Sequence, residues 1–159
     1  MRAQTTAAVV LGLVALGGFA HAGDVAIIVH RNHSQDTLTM AELSRIFRME
    51  QQHWKSGDRI EVVLQASGSE KDTIIQSRVL GLRPSELQAY WLGKTFRGEI
   101  TAAPRSLASD LSVKQVVGGS LRAVGYVDSL LLDDSVKALK IDGKAPGEAG
   151  YPLARGAGR

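Results

Sequence analysis

The apolar residues of the chain follow two patterns, one typical of strands and one typical of helices. Four short runs are rich in β-branched and other apolar residues, as expected for buried strands; they span residues 25–29, 60–65, 123–127 and 136–141. Apolar residues three and four positions apart predict helices between these runs. Because helices that separate strands usually form crossover connections, the order predicts an α/β domain. We expect a mostly parallel sheet of about four to five strands with helices on both faces.

The predicted helices have recognisable start signals. Thr39 and Glu42 have the spacing of a capping box, in which each side chain accepts a hydrogen bond from the other residue's backbone N–H. Further helices are predicted from the Ser67-Gly68-Ser69 turn to Leu80, from Pro84, and from Ser109. We expect residues 93–105 to be irregular.

The first 22 residues have the three parts of a secretory signal peptide. Arg2 supplies the positive charge, residues 7–15 form an apolar run, and Ala20-His21-Ala22 resembles a cleavage site before Gly23. The apolar run is too short to span a bilayer. We therefore expect export to the periplasm, cleavage, and a mature protein without membrane insertion. Residues 23–143 are predicted to form one α/β domain, and the Gly/Pro-rich residues 144–159 a C-terminal tail.

Charge and composition exclude several classes of function. Past the predicted signal, 18 basic and 16 acidic residues are scattered along the chain, so a basic surface for nucleic acid is not expected. The chain contains no cysteine, which excludes disulfides, thiol catalysis and cysteine-ligated zinc.

The junction at residues 65–71 has the clearest binding potential. A predicted strand ends in Ser67-Gly68-Ser69 and is followed directly by a helix, whose first N–H groups and positive dipole end attract anions. Lys71 is a nearby cation. A purely structural role is also open, because Ser67 and Glu70 have the spacing of a capping box that would satisfy the helix start internally.

Catalytic and metal-binding patterns are weak. His30, His33 and His53 have no fourth ligand at a telling spacing, so loop or surface positions are favoured over a metal site. The sequence has no G-x-S-x-G elbow and no other catalytic set. We expect neither an enzyme nor a cofactor.

Several segments, in order along the chain, resemble the phosphate-binding proteins of bacterial ABC transporters, which have the type II periplasmic binding-protein fold. Residues 25–47 resemble the stretch that crosses between the two lobes in that family. Ser67-Gly68-Ser69 stands where the family has a phosphate-binding Ser-Gly-Thr. Val124-Gly125-Tyr126-Val127 is similar to its Ile-Gly-Tyr-Val, and residues 151–155 (YPLAR) to its Tyr-Pro-Leu-Ser-Arg. The resemblance implies a single lobe of this fold.

Two departures from the family weaken the implied phosphate site. The family places an arginine and an acidic residue before Ser-Gly-Thr, where this chain has Val63 and Gln65. The resemblance also covers one lobe only, whereas a two-lobed protein encloses its ligand by hinge closure. An anion held by one lobe stays in water, where binding is weak and sensitive to salt.

Two functions follow. In the first, the exported protein binds phosphate or another small anion at Ser67, Gly68, Ser69 and Lys71. In the second, the lobe has lost ligand binding and is a periplasmic interaction module that contacts a protein partner. The fold alone does not separate the two functions.

Overall fold

A computed structural model describes residues 23–66 and 68–156. The predicted signal peptide, Ser67 and residues 157–159 lie outside the described residues. The strands are β1 (Val25–His30), β2 (Thr37–Leu38), β3 (Glu61–Gln65), β4 (Arg105–Leu107), β5 (Ala123–Asp128), β6 (Val136–Ala138) and β7 (Lys140–Ile141). The helices are α1 (Met40–Phe47), α2 (Glu70–Ile74), α3 (Pro84–Phe96) and α4 (Asp110–Gly118). A π-helical segment, Ile75–Leu80, continues α2, and a 3₁₀ turn, Ser129–Leu131, follows β5.

Five strands form the main sheet in the order β4-β3-β5-β1-β6. β3 pairs in parallel with β4 and β5, and β1 pairs antiparallel with β5 and β6. Four of the five strands therefore run in the same direction, and β1 runs against them. The prediction of an α/β fold with a mostly parallel sheet is confirmed.

Helices cover both faces of the sheet, which explains the apolar sequence of β1. On one face Val25, Ile27 and Val29 pack in a core with α1, the α2–π segment and Trp91 of α3. On the other face Ala26 and Ile28 pack beneath α4. All five of these β1 residues are fully buried. A strand with both faces covered needs apolar residues at every position rather than at every second one.

Helix α4 lies very close to β5 because Gly125 has no side chain. A Cβ atom at Gly125 would lie 2.7 Å from Val113 Cγ1 and 3.3 Å from the Val63 carbonyl oxygen. Val113 and Val63 both belong to the core between α4 and the sheet. A side chain at residue 125 would therefore fit only if α4 or the strand moved. The Gly of the Gly-Tyr-Val segment therefore has a packing role at this position.

Helix α1 begins as the sequence predicts. Thr39 Oγ1 accepts a hydrogen bond from Glu42 N at 3.1 Å, and Glu42 Oε2 accepts one from Thr39 N at 2.8 Å. Leu43, Ile46 and Phe47 point into the core and are fully buried. The predicted capping box is confirmed.

Three elements differ from the expectation. Helix α3 continues through Gly93 to Phe96, so the first four residues of the predicted irregular stretch are helical. The predicted strand 136–141 is divided between β6 in the main sheet and β7, which pairs with β2 in a separate two-stranded sheet. Strand β4 was not predicted, since it has only three residues, none of them buried, at the edge of the sheet.

The chain after Gly143 is part of the folded body. This segment has turns without helix or strand through Gly156, in keeping with its Gly and Pro content. However, Tyr151 and Leu153 are buried in the main core. Tyr151 also donates a hydrogen bond from its hydroxyl to the Val25 carbonyl oxygen at 2.8 Å. The predicted C-terminal tail therefore packs against the domain through Tyr151 and Leu153.

Candidate functional site

Gly68, Ser69 and Lys71, three of the four predicted anion-binding residues, lie at one corner of the lobe, where β3 ends and α2 begins; Ser67 lies outside the described residues. Ala66 extends the strand by donating its N–H to the Leu107 carbonyl oxygen at 2.8 Å. Gly68 has a φ of +130°, which only glycine adopts without strain, and is followed by Ser69 as the N-cap of α2. The chain thus turns sharply from the strand into the helix, as the sequence predicts.

The start of α2 has a capping box, but its register differs from the predicted one. Ser69 Oγ accepts from Asp72 N at 3.1 Å, and Asp72 Oδ2 accepts from Ser69 N at 3.1 Å. The predicted pair was Ser67 and Glu70. The Glu70 side chain is instead 64% exposed. Asp72, not Glu70, places a carboxylate against the helix start.

Asp72 is buried and joins the corner to β5. Its Oδ1 accepts a hydrogen bond from the Tyr126 hydroxyl at 2.6 Å. The Tyr126 hydroxyl oxygen in turn accepts a hydrogen bond from the N–H of Gln65, the last residue of β3, at 3.0 Å. Burial, reinforced by the hydrogen bond to Asp72, raises the pKa of the Tyr126 phenol above its ordinary range. Tyr126 therefore stays a neutral donor to the Asp72 carboxylate.

Lys71 is also engaged inside the protein. Its Nζ lies 2.5 Å from both carboxylate oxygens of Asp110, the first residue of α4, and its side chain is 9% exposed. Asp110 Oδ1 further accepts from Gln65 Nε2 at 2.9 Å and from Asp128 N at 3.0 Å. The structure therefore brings Lys71 to the corner, but as the partner of an internal carboxylate.

These contacts favour the ionised form of the Asp110 carboxyl group. Burial alone would raise its pKa, but hydrogen bonds from Lys71, Gln65 and the Asp128 backbone outweigh burial and lower it. Three donors thus converge on the partly buried Asp110 carboxylate. The same three donors could hold an oxyanion from solution if Asp110 were absent. In this chain Asp110 occupies that position itself.

Arg155 completes the corner, although it was not among the residues predicted to bind an anion. Its Nη2 lies 3.0 Å from Asp128 Oδ2, and its Nε lies 3.9 Å from Glu70 Oε2. The buried Nε has no hydrogen-bond partner among the described residues. Arg155 is the last residue of the YPLAR segment, so the folded C-terminal segment supplies a second cation to the corner.

The side chains of the corner have a negative balance. Lys71 and Arg155 carry two positive charges. The carboxylates in contact with them or with the helix start are those of Glu70, Asp72, Asp110 and Asp128. The formal sum of minus two opposes a phosphate dianion, since like charges within a few ångströms repel strongly away from bulk water.

Two donors at the helix start stay open. The backbone N–H groups of Glu70 and Lys71 are the first two of α2, and no described residue accepts a hydrogen bond from either one. Glu70 is exposed, whereas Lys71 is buried.

Of the three histidines that raised a metal hypothesis, His30 ends strand β1, His33 lies in the loop that follows, and His53 lies in a β-bridge. The Nδ1 atoms of His30 and His33 accept backbone hydrogen bonds from Asn32 and Gln35, at 3.1 and 3.0 Å. His53 forms an isolated β-bridge with Arg59. Within residues 23–66 and 68–156, no group of three or more His, Asp or Glu side chains has the arrangement of a metal site.

Comparison with known proteins defines the class of this fold. No family model matches the sequence. The fold is that of one lobe of the phosphate ABC transporter substrate-binding proteins. A protein from Clostridium perfringens described as a phosphate ABC transporter substrate-binding protein, solved with bound phosphate, superimposes with a TM-score of 0.63 at 26% identity, over 77% of this chain and 46% of that chain. The resemblance stated from the sequence is confirmed.

Two further structures have the same fold at lower identity. An ABC-type phosphate transport receptor from Vibrio cholerae gives a TM-score of 0.59 at 20% identity, over 77% of this chain and 48% of the receptor. PstS from Borrelia burgdorferi gives 0.56 at 16% identity, with the same two coverages. The chain spans less than half the length of each of these structures. These neighbours are named as binding or transport proteins.

The helices of the lobe are short. In the part of the chain that the structure describes, none of them combines the length and the apolar character needed to cross a bilayer.

Proposed function

We propose that this chain is an exported, single-lobe binding protein of the phosphate-binding type, and that it contacts phosphate or a similar small oxyanion at the Ser67–Lys71 turn. The observation that carries the proposal is that the N–H groups of Glu70 and Lys71, at a strand-to-helix turn, have no acceptor among the described residues. The same fold occurs in a protein solved with bound phosphate. The hydroxyls of Ser67 and Ser69 are the further donors that the sequence offers.

The corner chemistry sets the affinity that we expect. Lys71 is neutralised by Asp110, and Asp72 has already satisfied Ser69 N. The anion therefore gains hydrogen bonds from the helix start but no unpaired cation. It also stays open to solvent, because one lobe cannot enclose it. A dissociation constant on the order of millimolar, about 4 kcal/mol of binding free energy, is the expected range.

Periplasmic export is part of the same proposal and rests on the signal-like residues 1–22. The same fold occurs in an ABC-type receptor whose named role is phosphate transport. Transport by this chain would need a second surface that closes over the anion, since a lone lobe gives only weak, salt-sensitive binding.

A calorimetric titration of inorganic phosphate into the purified protein tests the anion site. We expect weak binding at low salt that falls with added salt. In Ser69→Ala binding should fall severalfold further, because the turn loses its cap and hydroxyl. Thr39→Ala is the matched control, because it removes the same kind of capping box from α1. It should cost about 1 kcal/mol of stability and leave phosphate binding unchanged.

The second candidate function, a module that contacts a periplasmic protein, is favoured by exposed leucines at the same edge. Leu111 follows Asp110 and is 63% exposed, and Leu130, which donates its N–H to Asp128 Oδ1, is 69% exposed. Exposed apolar side chains beside this corner suit a surface covered by a partner better than an open anion pocket. If the calorimetric titration of folded protein shows no heat at millimolar phosphate, the anion-binding function is excluded and the interaction module is the candidate that stays.

A further inference from the structure

The opposite end of the main sheet has a cleft with different chemistry. It has a volume of about 320 Å³ and lies where β3 and β5 begin, next to the start of β4. Ile60, Val62 and Pro104 contribute apolar surface to its wall. Three arginines, Arg59, Arg105 and Arg122, line it as well. The cleft is therefore separated from the Ser67–Lys71 turn by the length of β3.

The sheet register brings the three arginines together. Glu61 pairs with Ala123 in the parallel ladder, which places Arg122 beside the start of β3. Val63 pairs with Arg105, the first residue of β4. Arg59 lines the cleft just before β3, and its backbone is paired with His53 in a β-bridge. Residues distant in sequence thus meet at one edge because the strands begin there.

The backbone around the cleft is fixed. The Arg122 carbonyl oxygen accepts hydrogen bonds from Glu61 N at 3.0 Å and from Trp54 Nε1 at 3.1 Å. Trp54 is buried in the core. The backbone that carries the Arg122 guanidinium is therefore held in place. Less conformational entropy of the backbone is lost there when a ligand binds.

The three guanidinium groups of the cleft lack an ion pair within the described residues, as do Arg31, Arg45 and Arg78. Arg48, Arg83, Arg97 and Arg155 all form ion pairs with carboxylates. Arg59, Arg105 and Arg122 are exposed and form no ion pair within the described residues. Glu61 is the one carboxylate among the residues lining the cleft, which leaves a formal charge of plus two. The positive charge that the first corner lacks is concentrated here.

We propose that this cleft binds a small organic anion with an apolar body and a terminal phosphate or carboxylate group. Guanidinium groups match both kinds of oxyanion with paired, charge-assisted hydrogen bonds. The apolar wall would cover the body of the ligand, as in most small-molecule sites, and the volume is at the lower end for such sites. The proposal is independent of the function proposed for the Ser67–Lys71 turn.

Titration with phenyl phosphate, with inorganic phosphate as the comparison ligand, tests this proposal. Phenyl phosphate should bind severalfold more tightly than inorganic phosphate, because only the ester has a body for the apolar wall. Arg105→Gln and Arg122→Gln should each weaken phenyl phosphate binding about tenfold, the effect of one lost charge-assisted hydrogen bond. Both side chains are exposed, so thermal unfolding should be unchanged.

Two control variants show whether phenyl phosphate binds at the cleft itself. Arg31→Gln makes the same change of charge in an exposed loop residue that does not line the cleft, and should leave binding unchanged. Thr39→Ala removes the cap of α1, which does not line the cleft, and should also leave it unchanged. Equal weakening by Arg31→Gln would show a general charge effect and overturn the proposal. Absence of binding at millimolar phenyl phosphate would overturn it as well.

Discussion

Asp110→Ala is expected to destabilise the protein by about 3 kcal/mol, because it leaves the Lys71 ammonium buried without a partner. The same carboxylate also accepts from Gln65 Nε2 and Asp128 N, so these donors lose their acceptor too. Urea unfolding followed by circular dichroism measures the change. The loss of stability should be large because the Lys71 side chain is only 9% exposed. Bulk water therefore cannot replace Asp110 as the partner of its ammonium group.

Asp133→Ala is the matched control for this prediction. Asp133 pairs with Lys114 at 2.5 Å, the same distance as the Lys71–Asp110 pair, but the Asp133 side chain is 56% exposed against 20% for Asp110, while the two lysines are 13% and 9% exposed. Exposed ion pairs contribute little because solvent screens them and their side chains lose entropy. We expect little change in the unfolding midpoint of Asp133→Ala. Comparable losses in the two variants would show that the Lys71–Asp110 pair is an ordinary surface contact.

The pH dependence of stability gives a second readout of the same pair. The pKa of Asp110 is lower in the folded protein than its ordinary value of 3.8. Its contribution is therefore fully present above that value and is lost as pH falls through the lower, folded pKa. The stability difference between wild type and Asp110→Asn should be constant near neutral pH and should shrink below about pH 4.

Tyr151→Ala is expected to cost about 3 to 5 kcal/mol, the usual range for removing a large buried aromatic side chain. Tyr151 is 1% exposed and packs in the main core, although it belongs to the Gly/Pro-rich segment. Tyr151→Phe keeps the ring and removes only the hydrogen bond to the Val25 carbonyl oxygen, so about 1 kcal/mol is expected. Chemical denaturation of both variants checks the two values. Wild-type stability in Tyr151→Ala would mean that the segment is a loose tail.

Elements fixed by local pattern were predictable from the sequence. The start of α1 was predictable because Thr39 and Glu42 lie three residues apart and their side chains bond only within this pair. Strand β1 was predictable because both of its faces are buried, which leaves an uninterrupted apolar run. Strand β4 carries no such signal, since its place is set by pairing with Val63–Gln65 across the sheet.

The candidate site was only partly predictable. The Ser67–Ser69 turn could be located, but the sequence also allowed a capping box between Ser67 and Glu70, and the two registers differ by two residues. The ion pair of Lys71 joins residues 39 positions apart, a contact that only the folded sheet brings about. Arg155 was hidden for a similar reason, because its segment has the composition of a tail while Tyr151 anchors it in the core.

The carboxylates of Asp72 and Asp110 set the low phosphate affinity that we expect. Both residues place negative charge next to the helix start, where the family resemblance would lead one to expect phosphate. If these groups limit binding, removing one charge without changing side-chain shape should strengthen phosphate binding. Asp72→Asn is suited to this purpose, because its amide oxygen can still accept from Ser69 N and keep the cap.

A phosphate titration of ¹⁵N-labelled wild-type and Asp72→Asn protein, followed by backbone amide shifts, tests the proposed anion site most directly. We predict fast-exchange shifts centred on the amides of Gly68, Glu70 and Lys71, with millimolar affinity in wild type and severalfold tighter binding in Asp72→Asn. Unmoved amides at this turn in both folded proteins, or micromolar phosphate binding by wild type, would contradict the proposed site.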